Sequence, residues 1–311
     1  MRTPNRSKSG GRVALAAAAG LAASALYGAV TAQAGSPTPT SIDQGTTVTL
    51  GKAHGLVYRT ADSQFVGVGE SRGVEARCGG KRKTTGGGAA VGGTLGGQAS
   101  PADSGPTLGF SSGRSWVATF TNEPSGQSTF VRASVICGKL EGRVVRKMTV
   151  ADASPNVELD VRARCPQDTH VTGGGVDYAD DSSQSRILAP FDGNDDDAKP
   201  DDGWRVVAYP AGSGGVTAIA ICARGKYAYR QANTAGPFGE TSHVIDQANC
   251  RDDQAVTGGG VNVGGASPTA RWVSGGPGDN DFDGAPDDAW KASYMLPAGS
   301  IANSIAICKR L

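Results

Sequence analysis

Cys165-Pro166-Gln167-Asp168-Thr169-His170-Val171-Thr172-Gly173-Gly174-Gly175 decides the fold, because the chain writes its pattern three times. A cysteine, six variable residues and Thr-Gly-Gly-Gly recur from Cys78 to Gly88 and from Cys250 to Gly260. Each copy is followed about 30 residues on by a tryptophan, Trp116, Trp204 or Trp290, and closes with an apolar strand bearing a second cysteine, Cys137, Cys222 or Cys308. The paired cysteines stand 59, 57 and 58 positions apart and use every cysteine present. Six cysteines allow 15 connectivities, and the recurring spacing selects one disulfide per repeat: Cys78–Cys137, Cys165–Cys222 and Cys250–Cys308.

The strands are legible from their alternation. In Val216 to Cys222, Ile219 and Ile221 fall on one face and Ala218, Ala220 and Cys222 on the other, so both faces are apolar and the strand is central. Trp204, Val206 and Ala208 share a face, as do Trp290, Ala292 and Tyr294, and Trp116, Ala118 and Phe120. Three glycines in a strand forgo packing and cost conformational entropy, so another group is expected against the bare backbone. The tryptophan of the same repeat is the candidate, with Gly87, Gly174 and Gly259 at the centres of the three triplets. A bulge is the alternative, and a phosphate-cradling loop would require a helix start that does not follow. The expected fold is all-β: three tandem antiparallel repeats of about 85 residues, four to six strands each, arranged either with pseudo-threefold symmetry or as small sandwiches in series.

Residues 1–34 read as a secretory signal. Arg2, Arg6, Lys8 and Arg12 precede an apolar run from Val13 to Val30, and Ala32-Gln33-Ala34 offers small residues for cleavage. Residues 35–50 read as a Pro/Thr linker, and the repeats as 51–140, 141–225 and 226–311. The secreted chain would carry 26 Lys+Arg against 29 Asp+Glu, which argues against nucleic acid as a partner. No later run is long and apolar enough for a membrane span. Cysteine pairs behind a signal point to an oxidising, extracellular location.

One constellation suggests an ion. Asp279, Asp281 and Asp283 alternate before Gly284, and Asp287 and Asp288 follow, the oxygen-rich pattern that wraps a Ca²⁺ ion. The second repeat offers Asp195, Asp197, Asp201 and Asp202, with Ala198 in place of the turn glycine; the first has nothing acidic there. The competing reading is a solvated turn of Asp, Asn, Gly and Pro. Gly69-Glu70-Ser71-Arg72-Gly73 matches the nucleophile string of hydrolases but is followed by a strand, not the helix that string requires. Trp272, beside Arg271 and without a counterpart in the second repeat, reads either as an exposed ligand contact or as rim packing.

The segments Cys165 to Gly175, Pro200-Asp201-Asp202-Gly203-Trp204 and Ala218-Ile219-Ala220-Ile221-Cys222 resemble the repeat of a group of uncharacterised secreted proteins of high-GC Gram-positive bacteria. The resemblance covers nearly all of the chain after the signal, and implies an exported β protein with no established activity. The first repeat departs from it by lacking the Pro-Asp-Asp-x-Trp segment. The function expected is a non-enzymatic binding or structural module of the extracellular space or cell envelope, with a glycan or another protein as partner; the alternative is a secreted hydrolase.

Overall fold

Two short strands, β1 (Ser41–Asp43) and β2 (Val48–Ala53), precede three sets of six. The first repeat contributes β3 (Leu56–Asp62), β4 (Ser71–Arg77), β5 (Lys83–Gly92), β6 (Ser104–Pro106), β7 (Ser115–Thr121) and β8 (Phe130–Gly138). The second contributes β9 (Val144–Val150), β10 (Leu159–Arg164), β11 (His170–Tyr178), β12 (Gln184–Phe191), β13 (Gly203–Tyr209) and β14 (Val216–Ala223). The third contributes β15 (Tyr227–Ala235), β16 (Ser242–Asn249), β17 (Gln254–Gly264), β18 (Arg271–Gly278), β19 (Ala289–Leu296) and β20 (Ile301–Arg310). This computed structural model describes residues 41–43, 45–92, 101–107, 113–122, 129–150, 153–179, 184–193, 197–236, 241–264, 270–281 and 283–310, all within the unit Pro37–Leu311. The signal, 1–34, lies outside the described residues, and β1 and the start of β2 fall in the stretch read as linker.

The repeats are not self-contained. The first, third and sixth strands of each lie in one sheet and the second, fourth and fifth in the next, which gives three walls: β1-β4-β7-β6-β11-β14-β9, β10-β13-β12-β17-β20-β15 and β16-β19-β18-β5-β8-β3-β2. Every wall thus joins two repeats, and the third joins the last repeat to the first, through Ser274↔Ala90 and Gly275↔Ala89. The arrangement is a closed pseudo-threefold ring, which excludes sandwiches in series. Pairing is antiparallel except for β1, which runs parallel to β4.

The Thr-Gly-Gly-Gly segments build the axis of the ring. In all three the register slips by one residue at the threonine, between Thr84 and Gly86, Val171 and Gly173, and Val256 and Gly258, so Thr85, Thr172 and Thr257 are bulged residues. Thr85 Oγ1 donates to Thr257 O at 3.1 Å and Thr172 Oγ1 to Thr85 O at 3.0 Å, linking strands of different repeats. The first glycines meet one another: a Cβ on Gly86 would stand 2.6 Å from Gly258 Cα, one on Gly258 2.9 Å from Gly173 Cα, and one on Gly173 2.8 Å from Gly86 Cα. The second glycines lie against tryptophan: the same construction on Gly87, Gly174 and Gly259 gives 2.4, 2.2 and 2.2 Å to Cδ2 of Trp116, Trp204 and Trp290. The third glycines receive the backbone of the neighbouring repeat, Gly88 against Gly275 O, Gly175 against Ser104 O and Gly260 against Leu188 O. Bulge and aromatic cover therefore coexist, and each glycine of the triplet answers a different close approach.

Around this axis the tryptophans and the alternating residues predicted to share their faces are buried, and a cavity of about 20 Å³ lies between the glycine triplets and Trp204, Trp272 and Trp290. Trp272 is 2% exposed and belongs to this core, so the exposed-ligand reading of it is overturned: β18 directs it inward, opposite Tyr294 of β19.

The disulfides are Cys78–Cys137, Cys165–Cys222 and Cys250–Cys308. The first cysteine of each pair follows a strand of one wall (β4, β10, β16) and the second lies in a strand of another (β8, β14, β20). Each disulfide therefore ties two walls together at a corner. Tyr58 OH to Val256 O (3.0 Å), Tyr229 OH to Val171 O (2.8 Å) and Arg143 Nε to Thr84 O (2.7 Å) lock the repeats in cyclic order, each reaching the carbonyl just before a bulged threonine.

Candidate functional site at the acidic rim

A dipeptide before each core tryptophan clamps the start of its repeat. The carbonyls of Asp201 and Asp202 accept from Val171 N (2.9 Å) and Cys165 N (2.8 Å), and those of Asp287 and Asp288 from Val256 N (2.6 Å) and Cys250 N (2.8 Å). In the first repeat Gly113 and Arg114 do the same for Thr84 N (3.0 Å) and Cys78 N (2.7 Å). The clamp needs only backbone. The carboxylates of the second and third repeats are thus additions to it, and their geometry is the question.

In the third repeat Asp279, Asp281 and Asp288 each offer one ligand oxygen, and these atoms lie within 4.8 Å of one another. The same carboxylates hold the loop: Asp279 Oδ2 accepts from Gly284 N (3.0 Å), Asp281 Oδ1 from Asp283 N (3.1 Å) and Asp288 Oδ1 from Asn280 N (2.7 Å). Partial burial pushes the Asp288 carboxyl above the usual carboxylate range, and the charges of Asp281 and Asp279 add to that. Three converging carboxylate oxygens on a loop turned by Gly284, at φ 89°, are of the hard-oxygen type that suits Ca²⁺.

Asp283 and Asp287, expected in the same set, are elsewhere. Asp283 Oδ1 accepts from Ala285 N at 2.7 Å. Asp287 turns inward and is 6% exposed, with His54 Nε2 of the β2–β3 hairpin 3.8 Å from its Oδ2. Burial, then the charge of Asp283, pushes the Asp287 carboxyl up to about 6, opposed by His54.

The second repeat does not assemble the expected set among its described residues. Asp195 lies outside them. Asp197 pairs with Lys199, His170 Nδ1 donates to buried Asp201 at 2.9 Å, and Asp202 Oδ2 accepts from Gly193 N at 2.5 Å. Each carboxylate therefore has its own partner. The inward Asp–His pairs, Asp201 with His170 and Asp287 with His54, went unread in the sequence because the histidines come from unrelated positions, one in the same repeat and one across the ring closure. The signal available was that the first aspartate of each Asp-Asp pair precedes a core tryptophan at the same distance.

The hydrolase-like string runs into β4, where Ser71 Oγ lies 2.7 Å from Thr121 Oγ1 of the adjacent strand. Matched against protein-family models and against curated proteins, the chain finds no counterpart. No helix among the described residues is long and apolar enough to cross a membrane.

Proposed function

We propose that the protein is a secreted, non-enzymatic module of the extracellular space or cell envelope that holds a glycan or protein ligand on its outer surface. The observation carrying this reading is the fate of the residues common to all three repeats. Cysteine, bulged threonine, glycine triplet, tryptophan and backbone clamp are all spent on closing the ring, while the charged residues that differ between repeats, Arg162 and Arg205 where the first repeat has Glu75 and Val117, and Asp279 and Asp281, are partly or fully exposed. A rigid repeated core with variable periphery is how binding surfaces are carried on stable scaffolds.

A secreted hydrolase is the competing reading. It needs a nucleophile beside a base, yet the cysteines are all bonded to one another and Ser71 is bonded to Thr121 within a wall. Ca²⁺ enters the proposal as an ordering ion for the third-repeat rim, held by Asp279, Asp281 and Asp288. The test is an array of glycans and cell-wall fractions probed with the secreted chain, with and without Ca²⁺. Retention of a defined ligand without chemical change supports the reading; turnover of a retained ligand, or retention on nothing, contradicts it.

A further inference from the structure

On each wall the two repeats meet at a short seam. In the second wall β12 and β17 pair only at Ile187↔Asn262 and Leu188↔Val261 and then part, leaving an outward-facing groove of about 440 Å³. One bank carries Arg162, Arg205, Phe191 and Asp192, the other Arg230, Gln231 and Asn262. Arg162 and Arg205 are cross-strand neighbours, and both donate through Nε and Nη2 to the single carboxylate of Asp160, at 2.7 to 3.1 Å. Arg230 and Asp192 line the groove as well, so the guanidiniums of Arg162, Arg205 and Arg230 face the carboxylates of Asp160 and Asp192 and the balance stays positive. Arg162 also stacks over the Phe191 ring, its Cζ 5.5 Å from the centroid, so the cations are held in place before any ligand arrives. Asn262 stands opposite Asn303, and Asn303 opposite Asn233, a row of amides across three strands that both donate and accept.

The seam itself does not require these residues. In the first wall the same register places Glu75 where Arg162 stands, Val117 for Arg205, Asp177 for Asn262 and Lys147 for Gln231. That groove, about 250 Å³, is flanked by Asp103 and Asp177 and has no arginine lining it. The same architecture thus carries opposite charge on two walls, so the arginines and amides of the second wall are additions to a shared frame.

Resting on the reading of the protein as a binding module, we propose that the second-wall groove binds an anionic, hydroxyl-rich polymer charged on carboxylate or phosphate, with Arg162 and Arg205 on the charges and Gln231 and Asn262 on the hydroxyls. Fixed guanidiniums match carboxylate or phosphate, and amide rows match hydroxyls. An acidic protein is the less suited partner, because protein hot spots want a deep aromatic or aliphatic anchor pocket, and the ring of Phe191 is already covered by arginine.

The experiment is calorimetric titration of the secreted, disulfide-bonded chain with hexagalacturonate, poly(glycerol phosphate), neutral cellohexaose and poly-glutamate. Saturable binding of hexagalacturonate or of poly(glycerol phosphate) is expected, and which of them binds identifies the charged group. Affinity should fall by about tenfold or more on raising salt from low to physiological levels, and by a similar factor in the double variant Arg162→Gln, Arg205→Gln. Gln231→Ala, which has no ion pair to lose, should weaken binding several-fold, and Asp177→Asn on the first wall should leave it unchanged. Binding of neither anionic chain, equal or tighter binding of cellohexaose or poly-glutamate, or a double variant that melts and binds like wild type would each overturn the proposal. Array retention of a ligand that the double variant holds equally well would remove this site and leave the binding-module reading standing; retention of nothing would remove both.

Discussion

The indole of Trp204 occupies the space that a side chain at Gly174 would need. A Cβ there would stand 2.2 Å from Trp204 Cδ2 and 2.5 Å from Ile219 O, so relief would require moving both a core ring and a strand backbone. Gly174→Ala should therefore destabilise the protein by about 3 kcal/mol or more, the upper range for overpacking a close-packed core. Gly276→Ala, whose Cβ would meet nothing nearer than Ser134 Oγ at 3.7 Å, should stay within about 0.5 kcal/mol of wild type. Denaturant midpoints measure both. Equal midpoints for the two variants would show that the tryptophan does not need a bare strand beneath it.

The axial threonines carry a hydrogen-bond argument. Thr172 Oγ1 is fully buried and lies 3.0 Å from Thr85 O and 3.2 Å from Ile221 O, so one hydroxyl sits between two repeats. Thr172→Val keeps the shape and removes the donor, at an expected cost of about 1 to 3 kcal/mol for the acceptors left in a dry interior. Thr149→Val, on an edge strand where the hydroxyl lies 3.2 Å from Thr217 Oγ1 and water can replace it, should cost less, within about 1 kcal/mol. Urea unfolding of the two variants in parallel decides whether the axial hydroxyls hold the ring.

The disulfide spacing, the strand faces and the Trp–Gly contact were legible because each depends on residues of a single repeat and recurs three times. Ring closure was not. It depends on which strands of a repeat share a wall, and alternation tells edge strands such as β10 from central ones such as β14 without saying which edge meets which repeat. The same limit explains the rim. The aspartates announce a turn by type, but whether Asp283 or Asp288 faces Asp279 is decided by backbone bonds within the loop, and Asp287 is turned inward by a carbonyl clamp that Gly113 and Arg114 also form. Trp272 left two readings open because the second repeat has no counterpart to it; its place is decided by pairing of β18 with β19, where it stands opposite Tyr294.

Interdigitation of the walls makes the repeats interdependent. A piece spanning 141–225 would contain β9, β11 and β14 without the β6 edge they pair with, and β10, β12 and β13 without β17. Expressed alone it should lack a cooperative thermal transition, whereas the whole chain should unfold in one step by both circular dichroism and calorimetry. Loops of 57 to 59 residues imply about 4 kcal/mol of loop-closure stabilisation per disulfide, so replacing Cys165 and Cys222 by alanine should lower the whole transition rather than release one repeat. A stable isolated repeat, or three resolved transitions, would contradict the closed ring.

The acidic rim gives a prediction finer than the sequence pattern allowed. If Ca²⁺ binds where Asp279, Asp281 and Asp288 converge, it stabilises the native loop by mass action, by about 2.7 kcal/mol at a hundredfold excess over the dissociation constant. Melting temperature should then be higher in Ca²⁺ than in chelator, and Asp281→Asn should abolish most of that difference. Asp283→Asn and Asp287→Asn should preserve it, because the first side chain is engaged with Ala285 N and the second faces His54 inside the rim. Asp197→Asn in the second repeat should leave the response unchanged as well, since its carboxylate is paired with Lys199. Identical melting curves in Ca²⁺ and in chelator, with no heat of binding, would reduce the three carboxylates to a hydrogen-bonded turn. A response lost equally in Asp281→Asn and Asp287→Asn would mean that the ion reorganises the loop around all five aspartates.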